Sequence, residues 1–335
     1  MVIYLLHILV FAAIFIILTL SLNLIIGFSG QVSLGHAAFY CIGAYVSSVI
    51  LVDFDLPYIF ALLSAFLAAG IMGVILGIPT LRLKDDYLAI VTLAFGLIVI
   101  IILLNIDEIV FNIDKIGLHK EITIGGPDGK TGIPGPVILG KTLRSKIDFI
   151  LLTWSFVAIT IIFMYRLQRS RVGTALAAIR DDDVTAQVMG INTTKYKVMA
   201  FGLGSGFAGI AGSLYSSYIH YIKPTDFGLS ASILILCMVV VGGIGSISGS
   251  IVGAVILTAL PEILRILTTS PEVLVFLDRI PKLLELLKSF ADYQNVAYGA
   301  LLVLLLIVRP QGIMGKSEAG KKFSLQSRFK RKKSA

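Results

Sequence analysis

The stretch that decides the fold is residues 3–26, IYLLHILVFAAIFIILTLSLNLII, which contains no Asp, Glu, Lys or Arg. A helix needs about 20 predominantly apolar residues to cross the hydrocarbon core of a bilayer, and this run is long enough. It lacks the basic start and the cleavage site of a signal peptide, so we interpret it as a membrane helix. Similar apolar runs follow along the chain at 32–52, 57–80, 87–105, 147–165, 198–221, 228–244, 247–267 and 291–309.

The composition fits a chain whose outer surface faces lipid. Of the 335 residues, 57% are hydrophobic and only 14% are charged, and the mean hydropathy is +0.94. Soluble domains carry roughly 25% charged residues, so a soluble fold around one buried core is excluded. We therefore predict an all-α polytopic membrane protein with about nine transmembrane helices, within a range of eight to ten.

The basic residues indicate the orientation. The net charge is +8, and many of the bases lie in a tail directly after the last apolar run, which favours the lipid bilayer over nucleic acid as a partner. Cytoplasmic loops are enriched in Lys and Arg, and the segment 166–197 and the tail carry such an excess. We therefore place the N-terminus outside and the C-terminus inside. Lys141, Arg144 and Lys146, at the outer end of the fifth run, oppose this orientation.

The runs form one transmembrane domain, residues 1–310, followed by a basic cytoplasmic tail, residues 311–335, that we expect to be disordered. Within the domain, the outer loop 106–146 is polar and rich in Gly and Pro. The segment 270–290 is amphipathic and is expected to lie along the outer interface. The segment 166–197 lies on the cytoplasmic side.

Two matches to nucleotide-binding patterns are interpreted as coincidences. Residues 135–142 match the phosphate-loop pattern, but Pro136 lacks an N–H group and no strand precedes the loop. Residues 204–209 match the dinucleotide fingerprint but lie inside an apolar run. Glycines spaced by four residues are typical of close helix packing in membranes. We assign this role to Gly202, Gly206, Gly209, Gly245, Gly249 and Gly253.

Polar groups and glycines interrupt the second run at 27–43, GFSGQVSLGHAAFYCIG, so that this helix is either broken or re-entrant. Irregular backbone at membrane depth is tolerated only inside protein or beside a water-filled cavity. The polar side chains are candidates for lining a solute pathway, and plain helix packing is the alternative for each of them. These candidates are Ser29, Gln31, Ser33 and His36.

The cytoplasmic segment is longer than a connector needs to be. Residues 173–189 predict a helix that ends at Gly190, a natural cap. Its charged positions make it a candidate docking site for a soluble partner, and a solvated connector is the alternative. The charged docking candidates are Arg180, Asp181, Asp182 and Asp183.

Four blocks of sequence resemble the LivM-type permease of branched-chain amino acid ABC importers. They are LNLIIGFSGQVSLGHAAFYCIGAY, GGPDG, GTALAAIRDDDVTAQVMGINTTKYKVMAFGLGSGFAGIAGSLY and VVGGIGSISGSIVGA, in that order over most of residues 20–310. The resemblance implies a second, LivH-like permease, two cytoplasmic ABC ATPases and an extracytoplasmic solute-binding protein as partners. It also implies a prokaryotic cytoplasmic (inner) membrane as the location. The family includes permeases for urea, amides and other amino acids, and these blocks do not separate them.

The resemblance further implies that the helix near 173–190 couples the chain to an ATPase. Importers often carry Glu-Ala-Ala-x-x-x-Gly there, and this chain matches it at Ala186 and Gly190 but has Val184 in place of the acid. Under this reading the chain binds no cofactor, because ATP is hydrolysed by the partner subunits. The paired permeases would reorient around a pathway between them.

Two other function classes remain as alternatives. A stand-alone secondary transporter would need acidic residues in the middle of spans, and by our assignment the acids lie in loops or near span ends, as Asp148 and Asp292 do. A membrane-embedded enzyme would need converging catalytic groups. The sequence offers no paired carboxylates, nucleophile–base pair or metal cluster, since Cys41 and Cys237 lie singly in apolar runs. We therefore predict that the chain is not an enzyme.

Overall fold

Helices dominate the structure, a computed structural model that describes residues 2–80, 85–113, 118–138, 141–142 and 145–269. The helices are α1 (Val2–Asn23), α2 (His36–Val52), α3 (Tyr58–Thr80), α4 (Asp85–Leu104), α5 (Lys146–Arg169), α6 (Arg171–Asp181), α7 (Asp183–Val188), α8 (Thr193–Ile219), α9 (Leu229–Gly242) and α10 (Ile247–Thr269).

Six helical stretches among the described residues are long and apolar enough to cross a membrane. They are Leu5–Phe28, Tyr58–Pro79, Tyr87–Leu104, Lys146–Arg169, Thr193–Ile219 and Pro224–Gly242. The shorter apolar helices His36–Val52 and Ile247–Pro261 occupy two more of the predicted runs. A polytopic helical membrane protein is therefore confirmed. The run 291–309, the amphipathic segment 270–290 and the tail 311–335 lie outside the described residues.

The loop between α4 and α5 contains short antiparallel strands, which the all-α prediction missed. Strands β1 (Glu108–Ile113) and β2 (Leu118–Thr123) form one hairpin, and β4 (Val137–Ile138) pairs with β5 (Lys141–Thr142) in another. The second hairpin occupies the phosphate-loop match, so that match does not have the strand–loop–helix geometry that phosphate binding requires. Strand β3 (Lys130–Thr131) pairs with β6 (Tyr221–Ile222), which follows α8.

Helices α1 and α8 lie at the centre, whereas α4 and α5 are largely exposed. Their exposed faces are apolar, as Ile90 at 63% and Leu151 at 65% exposure show. A contiguous apolar face of this kind is unfavourable in water but suits contact with lipid or with another membrane chain. The exposure pattern therefore agrees with a membrane environment.

Small residues allow α8 to pack closely against α2 and α3. A Cβ atom at Gly209 would lie 2.3 Å from the Ala65 carbonyl oxygen, and one at Gly206 would lie 2.7 Å from the Phe66 ring. A Cβ at Gly202 would meet Val74 at the same distance of 2.7 Å. The dinucleotide match is therefore part of a helix interior with neighbours too close for larger side chains.

Helices α9 and α10 pack together in the same way. A Cβ at Gly249 would lie 2.3 Å from the Gly242 carbonyl oxygen, and one at Gly253 would lie 2.1 Å from that of Met238. Gly245 is different, because it lies in the turn before α10 with a φ of +82°. Gly245 is therefore not part of a helix, but it does lie close to two of them: a Cβ atom there would lie 2.7 Å from Arg180 Nη1 of α6 and 3.2 Å from the Gly27 carbonyl oxygen. Both the positive φ and these contacts favour glycine at this position.

Candidate functional site

The predicted interruption of the membrane helices lies between α1 and α2. Helix α1 widens into a π-helical turn at Leu24–Phe28, and the chain then runs without regular structure to His36. Turns of this kind occur frequently at functional sites. The break is shorter than the predicted 27–43, because residues 36–43 belong to α2. Gly43 interrupts nothing and lies within α2, against Gly209.

The four pathway candidates lie at this break, and all of them are buried. Ser29, Gln31, Ser33 and His36 are 2%, 3%, 1% and 0% exposed, so none of them faces an open channel in this conformation. Ser29 Oγ lies 2.6 Å from the Ile25 carbonyl oxygen, and 3.0 Å from Gln31 Oε1. These contacts are local, as the packing alternative expects.

His36 and Ser33 keep unused polar atoms. His36 Nε2 lies 2.7 Å from the Ser21 hydroxyl of α1. His36 Nδ1 and Ser33 Oγ have no partner in the part of the chain that the structure describes. Buried polar groups are almost always satisfied, so unsatisfied ones call for a role in another conformation or a water molecule.

A small cavity adjoins the break, where the starts of α2 and α9 meet α4. Its lining is mainly apolar and includes Leu34, Leu97, Phe227 and Ser232. The Ser232 hydroxyl accepts a hydrogen bond from the Ala37 N–H group at 3.1 Å, which ties the start of α2 to α9.

The segment between α5 and α8 contains two short helices and not one. Asp182 separates α6 from α7, and its carboxylate accepts hydrogen bonds from the N–H and hydroxyl groups of Thr185 at 3.0 and 2.8 Å. This is an N-cap, and the Thr185 backbone N–H group lowers the pKa of Asp182. The prediction of one helix over 173–189 was therefore wrong, because an Asp in the middle of a helix competes for the backbone. Gly190 follows α7 with a φ of +85°, as predicted for its end.

Helix α7 presents apolar side chains to the outside. Val184, Val188 and Met189 are 71%, 82% and 76% exposed, and we call these three residues the apolar tip. Ala186 points the other way and is only 3% exposed. Val184 and Val188 are four residues apart and lie on one face of α7. The sequence did not reveal this exposed pair, because the break at Asp182 was not predicted.

The predicted docking residues divide into different environments. The Asp181 side chain is 71% exposed, whereas Asp183 forms an ion pair with Lys197 at 2.8 Å. Gly190 is exposed. Arg180 turns back toward α1, where its Nη1 donates to the Gly27 carbonyl oxygen at 2.7 Å.

A buried ion pair connects the loop 106–145 to the membrane helices, and no sequence pattern predicted it. Lys130 pairs with Asp53, which follows α2, and the two side chains are only 3% and 9% exposed. The Lys130 ammonium group also donates to the Thr123 carbonyl oxygen at 2.6 Å. Nearby, the His220 ring lies 2.7 Å from the Ile133 carbonyl oxygen.

The comparisons with known proteins agree on one family. The model of the branched-chain amino acid transport system permease component matches residues 4–306. The chain belongs to this permease family. It is 33% identical to the high-affinity branched-chain amino acid transport system permease protein LivM of Salmonella typhimurium, over 90% of this chain and 68% of that relative. The LivM protein of Escherichia coli matches to the same extent.

Weaker relatives extend the pattern. The permease protein LivH of Salmonella typhimurium is 26% identical over 91% of this chain and 92% of the relative. The autoinducer 2 import system permease protein LsrC of Salmonella paratyphi B is 27% identical over 50% of this chain and 51% of its own. No solved structure matches the chain. The family is one of transport permeases and not of enzymes, which agrees with the prediction from the sequence.

Proposed function

We propose that this chain is the membrane permease subunit of an ATP-driven importer of branched-chain amino acids, working with a second permease. The observation that carries the proposal is the identity of 33% to LivM over 90% of the chain. The LivH relative supports a pair of homologous permeases. The relatives favour branched-chain amino acids over urea or amides as the solute, and the location is the cytoplasmic membrane of a prokaryote.

The proposed topology has about nine transmembrane helices, with the N-terminus outside and the C-terminus inside. Contacts among the connections support the alternation of the helices. On one side, the connection after α2 contacts the loop 106–145 through Asp53 and Lys130, and that loop pairs with β6 after α8. On the other side, the turn after α1 contacts α6 through Gly27 and Arg180. If successive helices cross the membrane in alternating directions, the members of each group lie together and the two groups lie on opposite sides.

The apolar tip on α7 is the proposed contact with an ATPase. Three large apolar side chains exposed beside one another on a connection between two membrane helices are costly in water unless a partner covers them. The tip therefore replaces Arg180 and Ala186 in the proposed contact, with Asp181 and Gly190 at its edge. The chain itself binds no nucleotide, and two ATPase subunits hydrolyse the ATP.

Alternating access is the proposed mechanism. Closure of the ATPases on binding ATP would move the segment 171–192, and the paired permeases would then reorient around a pathway between them. The break at 24–35 places buried polar groups beside an apolar cavity. This combination suits an amino acid with an apolar side chain and charged amino and carboxylate groups. The cavity is small in this conformation, as expected if the pathway is closed.

Uptake competition in cells that express the whole system tests the solute. Unlabelled leucine, isoleucine or valine should suppress uptake of labelled leucine, whereas urea should not. Suppression by urea alone would replace the proposed solute without removing the importer class. Gradient-driven uptake by the purified chain alone would instead support the stand-alone transporter.

A further inference from the structure

Arg180 joins the segment 171–192 to two other connections of the chain. Its Nη1 donates to the Gly27 carbonyl oxygen, and a Cβ atom at Gly245 would lie only 2.7 Å from the same nitrogen. A Cβ atom at Gly30 would lie 3.1 Å from Arg180 Cγ. The side chain therefore lies against three glycines, Gly27, Gly30 and Gly245, which we call the glycine seat.

The backbone of the seat is shaped for this contact. Gly30 and Gly245 have φ values of +76° and +82°, which other residues rarely adopt. The Gly27 carbonyl belongs to the last turn of a helix, where carbonyl oxygens lack partners within the helix. The Arg180 guanidinium supplies the missing donor, and a charged donor makes the stronger kind of hydrogen bond.

Asn23 completes the junction. Its Oδ1 accepts a hydrogen bond from the Gly245 N–H group at 2.8 Å, and its Nδ2 donates to the Ser246 carbonyl oxygen at 3.2 Å. Asn23 is 1% exposed. The end of α1 and the turn between α9 and α10 are thus held together, and Arg180 contacts both of them from α6.

We propose that Arg180 is a positioning residue that transmits movement of the segment 171–192 to the break in α1 and to the α9–α10 turn. The inference rests on the proposed function, because it takes the ATPases to dock on that segment. The apolar tip faces outward on α7, whereas Arg180 reaches inward from the last turn of α6. The residues that contact the ATPase and the residue that transmits its movement would therefore be only a few positions apart in the sequence.

The amount of solute imported per ATP hydrolysed tests this role. In proteoliposomes containing the complete complex, Arg180→Ala should leave the ATPases bound and hydrolysing ATP, but lower the solute imported per ATP at least about fivefold, the lower end of typical coupling between sites. Arg180→Lys should recover part of the loss, because its ammonium group can still donate to the Gly27 oxygen. Arg171→Ala removes the same charge from the exposed start of α6 and should leave the ratio unchanged.

A double-mutant cycle isolates the contact. Gly245→Ala places a methyl group where the Arg180 guanidinium lies, so it should also lower the ratio. In the Arg180→Ala background the same change should cost less, because the displaced group is already absent. If Arg180→Ala does not accumulate in the membrane, Arg180→Met, which keeps an unbranched apolar stem but cannot donate to the Gly27 oxygen, provides the same cycle with Gly245→Ala.

Three results would overturn the proposal. An unchanged ratio for Arg180→Ala would show that the contact carries no movement. Loss of the ATPases from purified Arg180→Ala complex would make Arg180 a docking residue, while the importer function would stand. If the effects of Arg180→Ala and Gly245→Ala on the import ratio are strictly additive, the two losses have separate causes. Failure of the wild-type complex to import any branched-chain amino acid would instead remove the proposed function itself, and this inference with it.

Discussion

At the scale of single residues, two charged contacts lie at opposite ends of the helices. Lys130 and Asp53 pair in a buried position on one side, and Arg180 contacts Gly27 on the other. A buried ion pair adds little net stability when complete, but removal of one partner leaves a buried charge without compensation. Such contacts therefore fix geometry more than they add stability.

Lys130→Met should destabilise the protein by about 3–5 kcal/mol, because the buried Asp53 carboxyl group would lose its ion-pair partner. The apparent melting temperature in detergent should fall by several degrees. Lys223→Met is the matched control, because the Lys223 side chain is 45% exposed and its ammonium group lies 3.8 Å from the Asp226 carboxylate, a longer and more exposed pair. That exposed pair should be worth less than about 1 kcal/mol. Equal melting temperatures for the two variants would contradict the role of the buried pair.

The role of His36 can be separated from packing. We expect His36→Leu to lower uptake strongly without lowering the melting temperature, because the hydroxyl of Ser21 keeps its bond to the Leu18 carbonyl oxygen. Ser47→Ala, at a buried hydroxyl 3.1 Å from Ser216 toward the other end of α2, serves as the control. Normal uptake by His36→Leu would place His36 among the packing residues.

At the scale of elements, the sequence predicted the long helices well and the short ones poorly. Apolar runs of membrane length are a strong signal, and the described helices occupy each run before 270. The division of the segment 171–188 at Asp182 was missed, because one cap residue overrides a weak helical periodicity. The pairing of β3 with β6 and the Lys130–Asp53 pair depend on contacts between residues distant in sequence, which no local pattern shows.

The orientation of Arg180 was missed for a related reason. The sequence marked it as a charged residue on a solvent-facing helix, and its side chain is 41% exposed, but its guanidinium also reaches back to α1. Its partner is a backbone carbonyl 153 residues earlier in the chain, which has no side-chain signature. The sequence showed glycines at positions 30 and 245, but it did not show that their φ values are positive.

The apolar tip gives a prediction for α7. Val188→Asp should release the ATPases on purification, because it replaces an apolar contact worth about 1.5–3 kcal/mol with an unpaired charge. The chain itself should remain in the membrane, since Val188 is 82% exposed and contacts little of its own fold. Thr194→Asp adds the same charge at an exposed position in the first turn of α8 and should retain the ATPases. Equal retention by both variants would contradict docking at the tip.

At the scale of the whole molecule, two groups of connections lie at opposite ends of the described helices. One group contains Asp53, Lys130 and β6, and the other contains Gly27, Arg180 and the turn at Gly245. The separation agrees with the proposed importer, in which a solute-binding protein would meet one face and the ATPases the other. Between them, α1 and α8 form a buried centre and α4 offers its apolar face to lipid or to the second permease.

The topology can be tested with cysteine labelling. The native cysteines, Cys41 and Cys237, are buried, so they should contribute little background. Asp128→Cys should react with an impermeant reagent in intact cells, and Lys330→Cys only after the membrane is opened. Reaction of both positions from the same side would contradict an odd number of spans.

ATP-dependent uptake by the reconstituted system tests the central claim most directly. Proteoliposomes containing this chain, its LivH-like partner, the two ATPases and the solute-binding protein should accumulate labelled leucine. Accumulation should stop when ATP, this chain or the binding protein is left out. Equal uptake without this chain, or uptake by this chain alone on an ion gradient, would contradict its role as a permease subunit of an ATP-driven importer.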